Sequence, residues 1–264
     1  MKKVAEKEVQ PQLVSCLKEL HLLTMREAFA TVANQARQES LSYEHYLLEL
    51  AHRECDERRH KRVERFLKDS RLPLEKSLGT FDLKRLPTKV LQQVRMLLTG
   101  EFVDRRENVL MFGAVGSGKT HLLAAIMQEL VRQGRRGFFR RCSLLVQELL
   151  QAKQALHLPR LLKKLGGYEV VFVDDLGYVQ QNREEMEVLF TFLAERYERG
   201  SVLLTSNLPF SKWEQIFRDP MTTAAAIDRL VHHSVIVELN LPSYRAEQAK
   251  RSKEKRNGEA TKEE

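Results

Sequence analysis

The chain has 264 residues, 42% of them hydrophobic and 30% charged, which fits one large folded domain with a smaller companion at roughly 150 residues per domain. A formal net charge of +8 favours encounter with a polyanion, nucleic acid first, though many soluble proteins are mildly basic without a specific partner. Cys16, Cys55 and Cys142 form no C-x-x-C pair, which excludes a zinc site or redox dithiol built on them. No stretch approaches the ~18 uncharged apolar residues of a membrane span and no signal-peptide core opens the chain, so a cytoplasmic protein without a membrane partner is expected.

Residues 12 to 68 carry apolar residues at helical spacing, with Ser42 and then Glu44 as a helix start. This is a small all-helical region, residues 1–70. Its later part, HRECDERRHKRVERFLKDSR, brings Arg58, Arg59, Arg62 and Arg65 onto one helical surface. That surface reads equally as a solvated helix with internal salt bridges or as a phosphate-contacting face. His52, Cys55 and His60 lack a second ligand pair and are not a metal site.

RLPLEKSLGTFDLKRLP, residues 71–87, breaks the helical pattern and is expected as a linker. Beyond it strands alternate with helices. Strands are expected at 109–112, 137–142, 170–173, 202–205 and 234–239, with helices from Lys119, to about Leu165, over 183–199 and from about Thr222. That alternation means an α/β fold with a five-stranded parallel sheet flanked by helices. Residues 246–264 are charged and expected to be disordered. Trp213 and Phe217 are expected in the core, and His232 and His233 at a helix end.

Gly113, Ala114, Val115, Gly116, Ser117, Gly118, Lys119 and Thr120 form a complete G-x-x-x-x-G-K-[ST] loop between a strand and a helix, with His121 next on that helix. Such a loop wraps backbone N–H groups around phosphates. Lys119 would reach the β- and γ-phosphates of ATP and Thr120 would bind Mg²⁺. EVVFVDDLG ends a buried strand in two carboxylates: Asp174 suits a water-bridged Mg²⁺ and Asp175 a general base, the alternative for Asp175 being a helix cap. A glutamate is commoner there, and aspartate is shorter by roughly 1.5 Å, so slow hydrolysis or help from a partner is expected. Asn207, at the end of SVLLTSN, orients the attacking water, touches the γ-phosphate or is a simple turn residue.

Together GAVGSGKT, VVFVDDLG, VLLTSN and IDRL...SYR resemble the AAA+ ATPases, and within them the IstB/DnaC group of insertion-sequence ATP-binding proteins and helicase loaders. Leu41-Ser42, Tyr46-Leu47, Leu50, Glu54, Arg58-Arg59, Arg62, Pro73, Lys76 and Phe81-Asp82 resemble the IstB branch in particular. The resemblance implies an AAA+ core over 88–245 with a minimal or absent lid, and a helical N-terminal domain for partner contact and assembly. It implies that Arg229 is an arginine finger acting in trans and that Arg245 is a second sensor in cis.

It implies further an ATPase using ATP and Mg²⁺ that assembles as a homo-oligomer on duplex DNA, largely independent of sequence, and assists the transposase of its own mobile element. Two alternatives stay open, a loader whose partner is a replicative helicase and a nucleotide-gated DNA-binding module with negligible turnover. Arg132, Arg135, Arg136, Arg140 and Arg141 flank the second strand. Of the basic residues, Arg58, Arg59, Arg62, Arg135 and Arg136 are the candidate DNA contacts, against a reading as scattered solvated charge.

Overall fold

The structure is a computed structural model that describes residues 6–177, 182–217 and 220–244. The chain divides into two compact units, Met1–Arg65 and Phe66–Glu264. No described helix is long and apolar enough to cross a membrane.

The first unit is helical, as its spacing predicts. Helix α1 spans Glu6–Glu19 and α2 spans Leu23–Gln38, while α3 begins at Tyr43 and runs to Ser70. Ser42 starts α3 as expected, its Oγ accepting the N–H of His45 at 3.3 Å. Leu22, ahead of α2, has no capping side chain. The buried Glu54 does that work from α3, accepting the N–H groups of Thr24 at 2.8 Å and Met25 at 3.1 Å. Burial pushes the Glu54 pKa up, yet the bonds from Met25, Arg58 and Thr24 prevail and hold it below the ordinary carboxylate value.

The second unit opens with a segment expected as a linker, and the structure makes it part of this unit. Leu72 and Leu86 are buried, and two single-turn 3₁₀ helices, Leu78–Thr80 and Leu83–Arg85, shape the stretch between them. Two helices not anticipated from the sequence follow, α4 (Thr88–Leu98) and α5 (Glu101–Asp104). Val90, Val94 and Leu97 of α4 repeat at helical spacing and all are buried.

The remaining elements are β1 (Asn108–Phe112), α6 (Lys119–Arg132), β2 (Gly137–Arg141), α7 (Cys142–Gln154), α8 (Leu158–Gly166) and β3 (Val170–Leu176). They continue with α9 (Arg183–Arg196), β4 (Ser201–Ser206), α10 (Glu214–Phe217), α11 (Pro220–Val231) and β5 (Ser234–Glu238). All five strands are parallel, in the order β2-β3-β4-β1-β5. Since side chains alternate across a strand, the sheet feeds two apolar layers. Leu110, Val171, Val173 and Leu204 face α7, α9 and α11, while Val109, Met111, Phe172 and Leu203 face α4 and α6.

Trp213 is fully buried as expected, its Nε1 donating to Leu208 O at 3.1 Å. The Phe217 side chain lies outside the described residues, as does the 246–264 tail. His232 bonds the Tyr197 hydroxyl at 3.1 Å through Nδ1. One buried arginine went unnoticed in the sequence. Arg196 donates to the carbonyls of Tyr168, Glu169, Ser201 and Leu165, which ties the start of β3 to the start of β4. Burial lowers its pKa to about 10.

The order places β4 between β1 and β3, so the loop after β1 and the carboxylates at the end of β3 open on the same edge. Ligands of parallel α/β sheets bind at that carboxyl edge.

Candidate functional site

The chain leaves β1 through a loop that only glycine can shape at two points. A Cβ on Gly113, where φ is 155°, would run into the Leu239 carbonyl; one on Gly116, at φ 82°, would meet the Ser243 side chain. The loop feeds the N-terminus of α6 directly, which aims its free backbone N–H groups and the positive end of the helix dipole at one spot. Lys119 is buried, and its Nζ donates to the carbonyls of Gly113 and Ala114, both at 2.8 Å. Burial lowers its pKa against the pull of Asp175 and Asp174, which act to raise it. The Ser117 Oγ is buried in the loop without a hydrogen-bond partner among the described residues. A buried polar atom left so is matched by a water or a polar ligand group at that point.

Across the cavity, Asp174 Oδ1 accepts two hydroxyl protons, from Thr120 at 2.8 Å and from Thr205 at 2.6 Å. Burial is the main force raising the Asp174 pKa. The Thr205 bond opposes it, the Asp175 charge adds to it, and the Thr120 bond and the Lys76 charge lower it. Asp175 adopts a left-handed backbone with φ at 62°, where the pairing of β3 with β4 shifts register between Val173 and Leu176. This bulge rotates the Asp175 carboxylate out of the sheet and leaves it exposed in the cavity wall, while its N–H donates to Thr205 Oγ1 at 2.8 Å.

The cavity so bounded has a volume of about 690 Å³, within the ordinary range for a ligand site. It is walled by Val115 to His121, Asp174, Asp175, Gly177 and Asn207. Lys76, Thr80, Phe81, Asp82 and Arg85 come from the segment before α4, Arg141, Cys142 and Ser143 from the end of β2, and Tyr244 lies beyond β5. His121 faces this first group: its Nε2 lies 3.1 Å from both Thr80 Oγ1 and Ser77 O, and its ring stands edge-on to Phe81.

The structure thus brings together the loop, Asp174, Asp175 and Asn207, as the sequence predicts. It adds Thr205, Lys76, Phe81, Arg85 and Tyr244, which the sequence reading left without a role at the site. For Thr205 the signal was present in the polar end of an otherwise apolar strand, VLLTSN. For the others there was none, because their proximity depends on the chain crossing α6 and β5.

Arg229 does not line the cavity. Its guanidinium stands 4.4 Å from the centre of the Phe190 ring, with Nη1 buried and without a hydrogen-bond partner among the described residues. Arg245 lies outside the described residues. Four of the five arginines expected to face DNA are engaged within the chain. Arg58 bonds Glu54 at 2.7 Å and His21 O at 2.8 Å, and Arg59 pairs with Asp56 at 3.2 Å. Arg135 bridges Asp104 at 2.7 Å and Glu169 at 3.1 Å, which balances its charge locally, and Arg136 lies over the Tyr168 and Phe66 rings. Arg62 is exposed.

The donor set suits a hard cation shared with a phosphate. Thr120 and Asp174 offer a hydroxyl and a carboxylate, and no group of three or more His, Cys, Asp or Glu among the described residues could hold a metal without other ligands. Mg²⁺ characteristically takes one or two protein oxygens and completes its shell with water and substrate phosphates.

Comparison with known proteins agrees with this geometry. A family model described as IstB-like ATP binding protein matches residues 15–252. An insertion-sequence ATP-binding protein of Sinorhizobium fredii is 38% identical over 97% of this chain and 86% of its own length. Another, from Geobacillus stearothermophilus, is 35% identical over 89% of this chain and 94% of its own. Among solved structures, DnaI superposes with a TM-score of 0.54 at 22% identity, covering 64% of this chain and 94% of DnaI. At that identity the likeness speaks for a shared P-loop fold.

Proposed function

Because the chain belongs to the IstB-like ATP-binding proteins of insertion sequences, we propose that it hydrolyses ATP and uses the bound nucleotide to assemble on duplex DNA in support of its element's transposase. The observation that carries this reading is the pairing of Thr120 with Asp174 beside the buried Lys119, with the Asp175 carboxylate exposed in the same cavity. This is the arrangement that phosphoryl transfer to water requires.

In this reading the N–H groups of the loop and the start of α6 cradle the β- and γ-phosphates. Lys119, held at the Gly113 and Ala114 carbonyls, lies where it reaches those phosphates. Thr120 through its hydroxyl and Asp174 through water would hold Mg²⁺, which would supply charge neutralisation at the phosphates. Asp175 accepts the proton of the attacking water, and Asn207 orients that water. Positioning and electrostatic stabilisation supply nearly all of such catalysis.

Arg229 completes the site of a neighbouring copy. That it does not line the cavity of its own chain favours action in trans, and a head-to-tail contact of this kind is heterologous, yielding rings or open filaments. Arg245 is assigned as second sensor on the family resemblance alone. The chain's net charge of +8 favours contact with the phosphates of a duplex without reading its bases, and on helix α3 the exposed Arg62 is a candidate contact.

The test is the light-scattering mass of the purified chain with ATP and with ADP, each with and without long duplex DNA at low salt, alongside phosphate release. Large DNA-bound assemblies that form with ATP and dissolve as phosphate appears are expected. Assembly with ATP but no phosphate release would leave a nucleotide-gated DNA-binding module instead. A monomer indifferent to DNA and nucleotide would end the assembly reading.

A further inference from the structure

The geometry points to Lys76 as a second phosphate-binding cation, one that contacts the γ-phosphate of ATP from outside the nucleotide motifs. This rests on the ATPase reading of the cavity and adds to it a residue that discriminates ATP from ADP.

Lys76 lines the same cavity as Lys119, Thr120, Asp174 and Asp175. Among the described residues its ammonium makes no hydrogen bond or ion pair. The other cavity cations differ in this respect or in their reach. Lys119 is bonded to two loop carbonyls, and Arg85 donates to Pro242 O at 3.1 Å and lies over the Tyr244 ring. Arg141 is exposed at the end of β2, whereas Lys76 is partly buried. It shares the cavity wall with Asp174, the carboxylate that the proposed reading sets on the side of the terminal phosphate.

The backbone that carries Lys76 is fixed on both sides by α6. The fully buried Gln128 donates through Nε2 to Pro73 O at 3.1 Å and to Lys76 O at 2.9 Å. His121 Nε2 lies 3.1 Å from Ser77 O, and the Thr80 hydroxyl closes the turn onto Glu75 O at 2.9 Å. One helix therefore holds both the phosphate loop and the strap that aims Lys76 into it.

Charge supports the assignment. The γ-phosphate adds negative charge beyond that of ADP, and a cation in reach of it favours ATP. ADP lacks the group in question.

The experiment compares Lys76→Gln and Lys76→Arg with the unsubstituted full chain, measuring Mg²⁺-dependent affinity for ADP and for a non-hydrolysable ATP analogue by calorimetry. Expected for Lys76→Gln is a loss of about tenfold or more in affinity for the ATP analogue with ADP affinity changed less than about twofold. Lys76→Arg is expected to recover most of the loss. An equal loss for both nucleotides, or no loss for either, overturns the Lys76 assignment and leaves the loop site standing. An unsubstituted chain that bound neither nucleotide would sink the site itself, and this inference with it.

Discussion

Thr205 holds Asp174 from below: its hydroxyl donates to Asp174 Oδ1 at 2.6 Å while the same oxygen accepts the Asp175 N–H at 2.8 Å. One buried hydroxyl thus fixes the orientation of the Asp174 carboxylate and the backbone turn that presents Asp175. We predict that Thr205→Val lowers ATP hydrolysis by about tenfold to a hundredfold, since it strips a bond from a buried carboxylate and orphans an N–H. ATP affinity should stay within about threefold, and Thr205→Ser should restore the rate. A Val variant that hydrolysed normally would show the bond to be structural only.

Asp174 should reduce the stability of the fold at neutral pH. Its folded pKa is raised, chiefly by burial, so the fold holds this proton more tightly than the unfolded chain does. Stability therefore falls as pH climbs from the ordinary carboxylate value to the folded one, and the loss is complete above it. Asp174→Asn keeps an acceptor for Thr120 and Thr205 without the charge. Its melting temperature should rise by about 2–4 °C at pH 7, with the difference shrinking in acid, while hydrolysis is lost. Scanning calorimetry at two pH values together with a phosphate-release assay checks both halves. A lower melting temperature at pH 7 would contradict the burial argument.

Arg229 stands over Phe190 with one guanidinium nitrogen unpaired. Arg229→Ala is expected to bind ATP as the parent does, to fail to form large assemblies on DNA, and to lose about a hundredfold or more of the assembled hydrolysis rate. Phe190→Leu removes the ring on which the guanidinium rests and should weaken assembly by a smaller factor. Parental hydrolysis on DNA by Arg229→Ala would exclude the finger role.

Arg196 is a structural counterpart far from the chemistry. Its guanidinium donates to the carbonyls of Leu165 in α8, of Tyr168 and Glu169 just before β3 and of Ser201 at the start of β4, with no carboxylate partner among the described residues. Arg196→Leu should cost about 3 kcal/mol, because the carbonyls it leaves are buried. The readout is the denaturant midpoint, with ATP affinity of the folded fraction unchanged. A cost below about 1 kcal/mol would mean that water replaces the arginine.

Much of the site was legible before folding because its parts are local. The phosphate loop is one continuous stretch between an apolar strand and an amphipathic helix, and Asp174 and Asp175 close a strand whose run Val170–Val173 has no polar residue. Those features follow from side-chain periodicity and glycine's freedom, which operate over a few residues. Helix α4 carried the same kind of signal in Val90, Val94 and Leu97 and went unread beside the proline-rich stretch before it.

The arginines mark the limit of such reading. Arg135 looks in the sequence like any cation free to meet a phosphate, and only folding brings it between Asp104 and Glu169. Arg58 likewise meets Glu54 one helical turn away, but also His21 O from the turn between α1 and α2.

By itself the sequence determined the chemistry on offer: a phosphate-cradling loop, two strand-end carboxylates and a parallel α/β framework, each encoded within a single element. Tertiary structure alone decided which other residues share that chemistry. Thr205 reaches Asp174 because the strand order sets β4 beside β3, and Lys76 enters the cavity because Gln128 and His121 fasten its strap to α6. Contacts between residues distant in sequence depend on packing of whole elements, where the gain is summed over many apolar side chains and no local pattern records it.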